Sequence, residues 1–356
     1  MTLLYELIQV VLGNKERLSR TPSEIEWQEL YTESQKQAVA GVAYLALEKL
    51  NRNGQKPPLD ILFEWIGLSE QIRNNNLLVD KRCKEITKLF ADAGYKSCIL
   101  KGQGNAQMYP VPESRTAGDI DIWVKGERKD VVNFVRNSFP KAFEQYIHID
   151  YPIFDDVPVE VHFTPGELII PKYDKRLQGW ASEYSKQLFG AEYNREADYL
   201  VPSIGFNTVY QMVHIVSHFF IEGIGLRHFL DYYYVLIKVK SERIEINDIQ
   251  DTMRWLGLEK FARGVMWIEK YCFGIEDWYL LFEPSEKIGR VILKELEEGG
   301  NFGQYDNRYP MRSRGLLARG VVDAYRLLQL SIVFPKESLW KICNKIENQK
   351  WKLKTN

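Results

Sequence analysis

The chain has 356 residues, a charged fraction of 27% and a formal net charge of −1. This length allows more than one core, and the balanced charge, with no polybasic tract or acidic tail, argues against long nucleic acids and membrane surfaces as partners. The four cysteines lie far apart, without the paired spacing of a zinc site, which predicts reduced structural thiols.

The first 96 residues predict helices throughout. The N-terminus has helical spacing instead of the basic start and cleavage site of a signal peptide, and no apolar run reaches the about 18–20 residues of a membrane span. We therefore expect a cytoplasmic protein. Residues 21–24, TPSE, have the form of a capping box led by Thr21. A long helical pattern then runs over 59–92 and ends near Gly94.

The hydrophobic period changes after residue 96. Strands are predicted for SCILKG and DIDIWV, with a helical turn or two at GNAQMY and a proline-containing loop, YPVPESRTAG, between them. A helix is predicted for KDVVNFVRNSF, and two further strands for FEQYIHIDYPIF and VPVEVHF. Residues 97–165 are thus expected to form a small mixed sheet with helices.

Strand alternation places acidic side chains on sheet faces. Asp119 and Asp121 leave one face together, and Glu160 shares a face with His162, opposite the valines of its strand. Two neighbouring carboxylates need a compensating cation, and Mg²⁺ prefers oxygen ligands shared with phosphates. The pattern predicts an Mg²⁺ site, with Mn²⁺ as the alternative ion; solvated strand faces are the structural alternative, although acids are depleted in strands.

Residues before the Asp-x-Asp pair can contact phosphate. In Lys101-Gly102-Gln103, exposed backbone N–H groups can cradle phosphate, and Lys101 is either a point charge for it or a surface lysine at a strand end. Arg115 can form a bidentate contact with a phosphate or with a carboxylate of the site.

Residues 206–356 predict a helical C-terminal domain, and 166–205, rich in charges and aromatics, predict its connection to the sheet unit. The spacing of His214 and His218 could hold zinc, but it lacks the Glu of a metalloprotease motif, so packing is the other interpretation.

Two further side chains have alternative roles. His162 either orients Glu160, touches substrate or is a buried histidine with satisfied hydrogen bonds. Arg227 and Asp231, four residues apart on a predicted helix, can form an ordinary helix ion pair.

The order strand-Gly-helix, Asp-x-Asp and a later carboxylate on a strand, over about residues 97–164, resembles the DNA polymerase β-like nucleotidyltransferase superfamily. The segments LKGQG, YPVPESRTAGDIDIWV, VEVHF, LRHFLDYYYVL and GNFG resemble, more narrowly, a poorly characterised bacterial nucleotidyltransferase-like group, up to about residue 303. The chain departs from the superfamily at Gln103, where Ser or a second Gly is typical, and in the long loop before Asp119.

The resemblance implies specific roles for matching residues. Asp119 and Asp121 would hold metal, Glu160 would help to hold it and draw the proton from the attacking hydroxyl, and Gly102 would be the phosphate-loop glycine. It also implies that LRHFLD packs beside the sheet, where Arg227 can reach phosphate.

We therefore expect an α+β fold with a small mixed β-sheet nucleotidyltransferase core, residues 97–165, between a helical N-terminal region, 1–96, and large C-terminal helices. The expected reaction is Mg²⁺-dependent transfer of a nucleoside monophosphate from NTP to a hydroxyl of a small molecule or protein, releasing pyrophosphate. The alternatives are a catalytically silent nucleotide-binding or interaction module, and metal-dependent hydrolysis by His162, His214 and His218. The candidate residues are Asp119, Asp121 and Glu160 for metal and catalysis, Lys101, Gly102, Gln103, Arg115 and Arg227 for the nucleotide, and His162 and Asp231 in support.

Overall fold

The computed structural model describes residues 2–190, 198–306 and 316–343. Helices and a four-stranded mixed sheet confirm the predicted α+β class. The elements are α1 (Leu3–Val11), α2 (Glu24–Lys36), α3 (Ala40–Tyr44), α4 (Ala46–Arg52), α5 (Leu59–Asp92), β1 (Lys96–Ile99), α6 (Lys101–Ala106), β2 (Ile120–Lys125), α7 (Arg128–Ser138), β3 (His148–Asp150), β4 (Val159–His162), α8 (Pro171–Leu188), α9 (Ile204–Ile221), α10 (Leu226–Ser241), α11 (Ile246–Trp255), α12 (Glu259–Ile268), α13 (Glu286–Gly299) and α14 (Leu316–Leu330).

The N-terminal helices follow the sequence pattern closely, with one correction at α2. A helix begins in the predicted segment, but it begins at Glu24 and not at Pro22, and the cap is Ser23 and not Thr21. The Glu26 carboxylate accepts from the Ser23 backbone N–H at 2.9 Å, and the Ser23 hydroxyl accepts from the Glu26 N–H. A capping box needs a Glu or Gln three residues after the cap, and Glu26 stands three residues after Ser23.

The sheet has the strand order β1-β2-β4-β3. β1 pairs antiparallel with β2, β2 pairs parallel with β4, and β4 pairs antiparallel with β3. Its two faces are covered by different helices. Side chains of α5 and α7 pack against the apolar residues of one face, such as Ile122 and Val161. On the other face Trp123 packs with residues of α8 and α9, including Ala181 and Phe206.

The segment 166–205, predicted as a connection, contains the 18-residue helix α8. The largest hydrophobic cluster joins the N-terminal helices to the C-terminal ones, from Leu4 and Trp27 to Phe219 and Phe334. The first and last regions therefore share one core around the sheet unit, while the exact domain boundaries stay a prediction.

Residues 335–343 are helical, and the rest of the predicted helix at 336–348 lies outside the described residues. Of the four cysteines, none of which forms a disulfide, Cys83, Cys98 and Cys272 are buried and Cys343 is exposed. Within the described ranges, no helix combines the length and apolar character needed to cross a bilayer.

Candidate metal and nucleotide site

The three predicted acids meet at one end of the parallel pair β2–β4. Asp119 directly precedes β2, and Asp121 lies in it, opposite Glu160 of β4 in the sheet register. One carboxylate oxygen from each residue lies within 4.8 Å of the others. A divalent cation accepts ligands at this spacing, and the oxygen-only donor set suits Mg²⁺ or Mn²⁺. The convergence is the one expected from strand alternation.

Asp121 is buried and is held by two cationic partners. Lys101 Nζ lies 2.8 Å from Asp121 Oδ1, and His162 Nε2 lies 2.9 Å from the same oxygen. Burial alone would raise the pKa of Asp121, but the charge of Lys101 and then the hydrogen bond from His162 hold it below its usual range. Asp121 is therefore an ionised carboxylate, paired with Lys101 and His162.

The pKa values of His162 and Asp119, in contrast, are raised. Burial works against the charged form of His162, but hydrogen bonds to Asp121 and Glu160 raise its pKa to about 9. The negative charge of Asp121, followed by burial, raises the pKa of Asp119, and Lys101 and Arg227 only partly offset this. A cation between the carboxylates would reduce this repulsion.

Gly102 lies where β1 turns into α6. Its φ of 47° and ψ of −111° lie in a region that L-residues rarely adopt, so this turn requires glycine. The neighbouring Gln103 is buried, and its amide donates to the backbone oxygen and to Oδ1 of Asn76 in α5, both at 3.1 Å. Gln103 thus fixes α6 against α5. The nucleotide-binding roles of Gly102 and Gln103 stay predictions.

Arg115 forms a buried bidentate pair with Asp231 of α10. Its Nε and Nη2 donate to the two carboxylate oxygens, each at 2.8 Å, and the Tyr109 hydroxyl donates to Oδ1 at 2.6 Å. The sequence left two partners open for Arg115, a phosphate or a carboxylate of the site. The structure contains a carboxylate partner, but this carboxylate belongs to Asp231 of α10. The pair anchors the loop that leads to Asp119, so contact of Arg115 or Asp231 with a nucleotide stays a prediction.

Arg227 lies against the chain just before Asp119. Its Nη1 donates to Thr116 O at 2.9 Å and would lie 3.9 Å from a Cβ built on Gly118. The helix LRHFLD therefore packs beside the sheet end. Contact of Arg227 with phosphate stays a prediction.

A histidine cluster on α9 and α10 lies near Lys101. The rings of His214, His218 and His228 have centroids 4.2–5.6 Å apart. Burial, and then the positive charge of Lys101, lower the pKa of His214. Among the described residues, the groups of side chains close enough to share a metal ion do not include His214 or His218. Hydrolysis at a metal held by these two histidines and His162 therefore lacks geometric support.

The site contains one residue that the sequence pattern did not bring out, His148. It lies in β3 directly opposite His162 in the antiparallel register, with ring centroids 5.2 Å apart. The signal was present in the segment IHID, where alternation puts His148 and Asp150 on one face. The alternation that predicts the exposed faces of β2 and β4 applies equally to β3.

A cavity of about 350 Å³ opens beside Lys101. It is bordered by α6, by the segment before α9 and by the last turns of α10, and its polar lining residues are Lys101, Asn105, Gln107, Ser203, Asn207, Lys238 and Glu242. A space of this size can accept a small polar molecule.

The sequence pattern of a family described as "Uncharacterised nucleotidyltransferase" matches residues 23–274, more than half of the chain. No curated protein and no solved structure matches this chain.

Proposed function

Because the chain belongs to this family of uncharacterised nucleotidyltransferases, we propose that it transfers a nucleoside monophosphate from an NTP to a hydroxyl group and releases pyrophosphate. The observation that carries the proposal is the convergence of Asp119, Asp121 and Glu160, with ligand oxygens within 4.8 Å. The membership supports nucleotidyl transfer in general; the metal, the acceptor and the leaving group are part of the proposal.

In the proposed reaction, the acceptor oxygen forms a bond to the α-phosphorus, and the bond from that phosphorus to the bridging oxygen of pyrophosphate breaks. Asp119, Asp121 and Glu160 would hold Mg²⁺ or Mn²⁺, which neutralises charge on the phosphates and on the attacking oxygen. Glu160, half-buried on β4, takes the hydroxyl proton. The protein otherwise positions the reactants, which is the larger part of catalysis in this class of reaction.

Lys101 has two successive partners in this proposal. Before cation and nucleotide bind, its ammonium neutralises Asp121 at 2.8 Å. With a divalent cation held by the carboxylates, the ammonium would be free to contact the triphosphate as a point charge. The adjoining cavity, polar and bordered by Lys238 and Asn105, is the proposed place for the acceptor.

A catalytically silent nucleotide-binding module is the second candidate. Lys101 already neutralises Asp121, so the site is stable without a cation. This alternative predicts nucleotide binding without chemistry, and the same experiment separates the two.

The test is incubation of the purified protein with Mg²⁺, each α-labelled NTP and pooled hydroxyl acceptors, with label transfer and pyrophosphate release as readouts. We expect both signals in the wild type and at least a ~10³-fold loss in Asp119→Asn and Asp121→Asn, about 4 kcal/mol of barrier. Asp155→Asn, an exposed acid in the β3–β4 turn, is the matched control and should retain activity.

Label transfer that survives in Asp119→Asn and Asp121→Asn would overturn the assignment of the site. Nucleotide binding by the wild type without any label transfer or pyrophosphate release would overturn the enzymatic proposal in favour of the silent module.

A further inference from the structure

A second group of potential metal ligands adjoins the three acids on the same sheet face. It consists of His148 of β3 with Glu160 and His162 of β4, and one ligand atom from each lies within 4.8 Å of the others. Glu160 Oε2 is the common neighbour, 3.3 Å from His148 Nδ1 and 3.4 Å from His162 Nε2.

These two distances fit a tetrahedral ion. Metal–ligand bonds of about 2.0–2.1 Å, as imidazole nitrogen and carboxylate oxygen make to zinc, separate neighbouring ligands of a tetrahedron by about 3.3–3.4 Å. The backbone already sets this spacing, because His148 and His162 are register partners and Glu160 lies two residues before His162 on the same face. An ion could therefore enter without movement of the strands, once His162 Nε2 gives up its proton and its hydrogen bond to Asp121.

His148 gives an independent reason to expect a ligand. It is 6% exposed, and its Nδ1 and Nε2 lie 3.3 Å from Glu160 Oε2 and 3.5 Å from Asp150 Oδ1, but neither of these contacts has hydrogen-bond geometry. Buried polar groups without partners are rare in folded proteins and cost free energy, so each one needs a physical cause. A metal ion bound at His148 Nδ1 would give this nitrogen the well-oriented partner that it lacks.

The donor set points to a class of ion. Two imidazole nitrogens and one carboxylate oxygen match first-row transition ions such as Zn²⁺, Fe²⁺ or Co²⁺, whereas Mg²⁺ prefers oxygen ligands in octahedral geometry. The neighbouring group of three carboxylates has the opposite preference. The two positions would thus be chemically distinct although Glu160 belongs to both.

We propose that His148, Glu160 and His162 form a binding site for a first-row transition ion, next to the position formed by Asp119 and Asp121, with which it shares Glu160. Water or a substrate oxygen completes its coordination. The site holds Glu160 and the β3–β4 pair in a fixed geometry. This inference does not depend on nucleotidyl transfer, and a measurement of metal binding tests it directly.

The test uses full-length protein, free of any affinity tag and stripped of metal with a chelator. Co²⁺ is added in the presence of excess Mg²⁺, and the visible d–d absorption of tetrahedral or five-coordinate Co²⁺ is recorded. We expect one equivalent of Co²⁺ to give this spectrum. His148→Ala should weaken binding by more than about 100-fold, the upper range for loss of an outer-shell partner.

Two control variants test whether the ion occupies this group of ligands. His218→Gln removes one imidazole from α9, outside the group, and should bind Co²⁺ like the wild type. Asp119→Asn should also keep the spectrum while it abolishes transfer, so failure of the proposed function and failure of this site are distinguishable. His148→Gln, similar in size to histidine, repeats the test if the alanine variant does not fold.

An octahedral Co²⁺ spectrum, or equal binding by the wild type and folded His148→Ala or His148→Gln protein, would overturn the proposal. Equal loss of binding in His218→Gln would place the ion elsewhere and would overturn it as well.

Discussion

Replacement of Asp231 by asparagine tests how the loop before Asp119 is held. The side chains of Arg115 and Asp231 are only 5% and 4% exposed, and two hydrogen bonds of 2.8 Å join them. Asp231→Asn keeps the shape but leaves the guanidinium buried without a counter-charge. Removing one partner of a buried pair costs about 3–5 kcal/mol. The weaker bond from Tyr109 to a neutral acceptor adds about 1 kcal/mol.

The chain offers a matched control with the same chemistry at the surface. Arg82 also binds Asp156 in bidentate fashion, at 3.0 and 2.6 Å, but these side chains are 24% and 37% exposed. After Asp156→Asn, water and the carboxylate of Glu85 still solvate the Arg82 guanidinium, so the loss of stability should be much smaller. The assay is urea unfolding of the two variants and the wild type, followed by far-UV circular dichroism.

Equal destabilisation by Asp231→Asn and Asp156→Asn, or a loss below about 1 kcal/mol in Asp231→Asn, would refute the reasoning that burial makes this pair structural. A double variant, Arg115→Met with Asp231→Leu, should recover much of the lost stability because no unpaired charge remains.

Three further changes have defined outcomes. Ser23→Ala should cost about 1 kcal/mol in urea unfolding, and Thr21→Ala close to none, because Ser23 caps α2; the reverse order would contradict the corrected cap. Gly102→Ala should cost about 1–2 kcal/mol from its positive φ, whereas Gly67→Ala in α5, with open space at its Cβ, should be neutral or stabilising; equal effects would contradict the strained turn. Burial raises the pKa of Glu269 well above its usual value in the folded protein. The folded state therefore keeps a proton that the unfolded chain releases above its pKa of about 4.3, so the free energy of unfolding falls as the pH rises from there towards the folded pKa. Glu269→Gln lacks this slope, and its stability relative to wild type should grow by up to about 1.4 kcal/mol per pH unit in thermal or urea unfolding; a difference independent of pH would exclude a buried protonated carboxyl.

Local patterns in the sequence predicted the elements well where one period persists. The long helix over 59–92 is α5 with the same ends, because its apolar residues repeat over many turns and Gly94 follows with positive φ. The alternation in DIDIWV and VPVEVHF likewise predicted which side chains leave the apolar face. Convergence of the three acids follows from these faces once β2 and β4 pair in parallel.

Contacts between distant segments could not be predicted in the same way. The sequence suggested a helix pair between Arg227 and Asp231, four residues apart, but Asp231 accepts from Arg115, which is 116 residues away. The partner of Lys101, Asp121, depends likewise on how β1 pairs with β2. Such choices are made by tertiary packing, and propensity and period carry no information about them.

Asp119, Asp121 and Glu160 are proposed to bind a divalent cation together with the phosphates of an NTP. A crystal structure with Mn²⁺ and a non-hydrolysable NTP, with anomalous diffraction recorded for the metal, tests it most directly. We predict an anomalous peak bonded to oxygens of all three carboxylates and to the triphosphate, with Lys101 turned from Asp121 to a phosphate oxygen. A nucleotide bound elsewhere, or a peak absent from these carboxylates at saturating Mn²⁺, would contradict the claim.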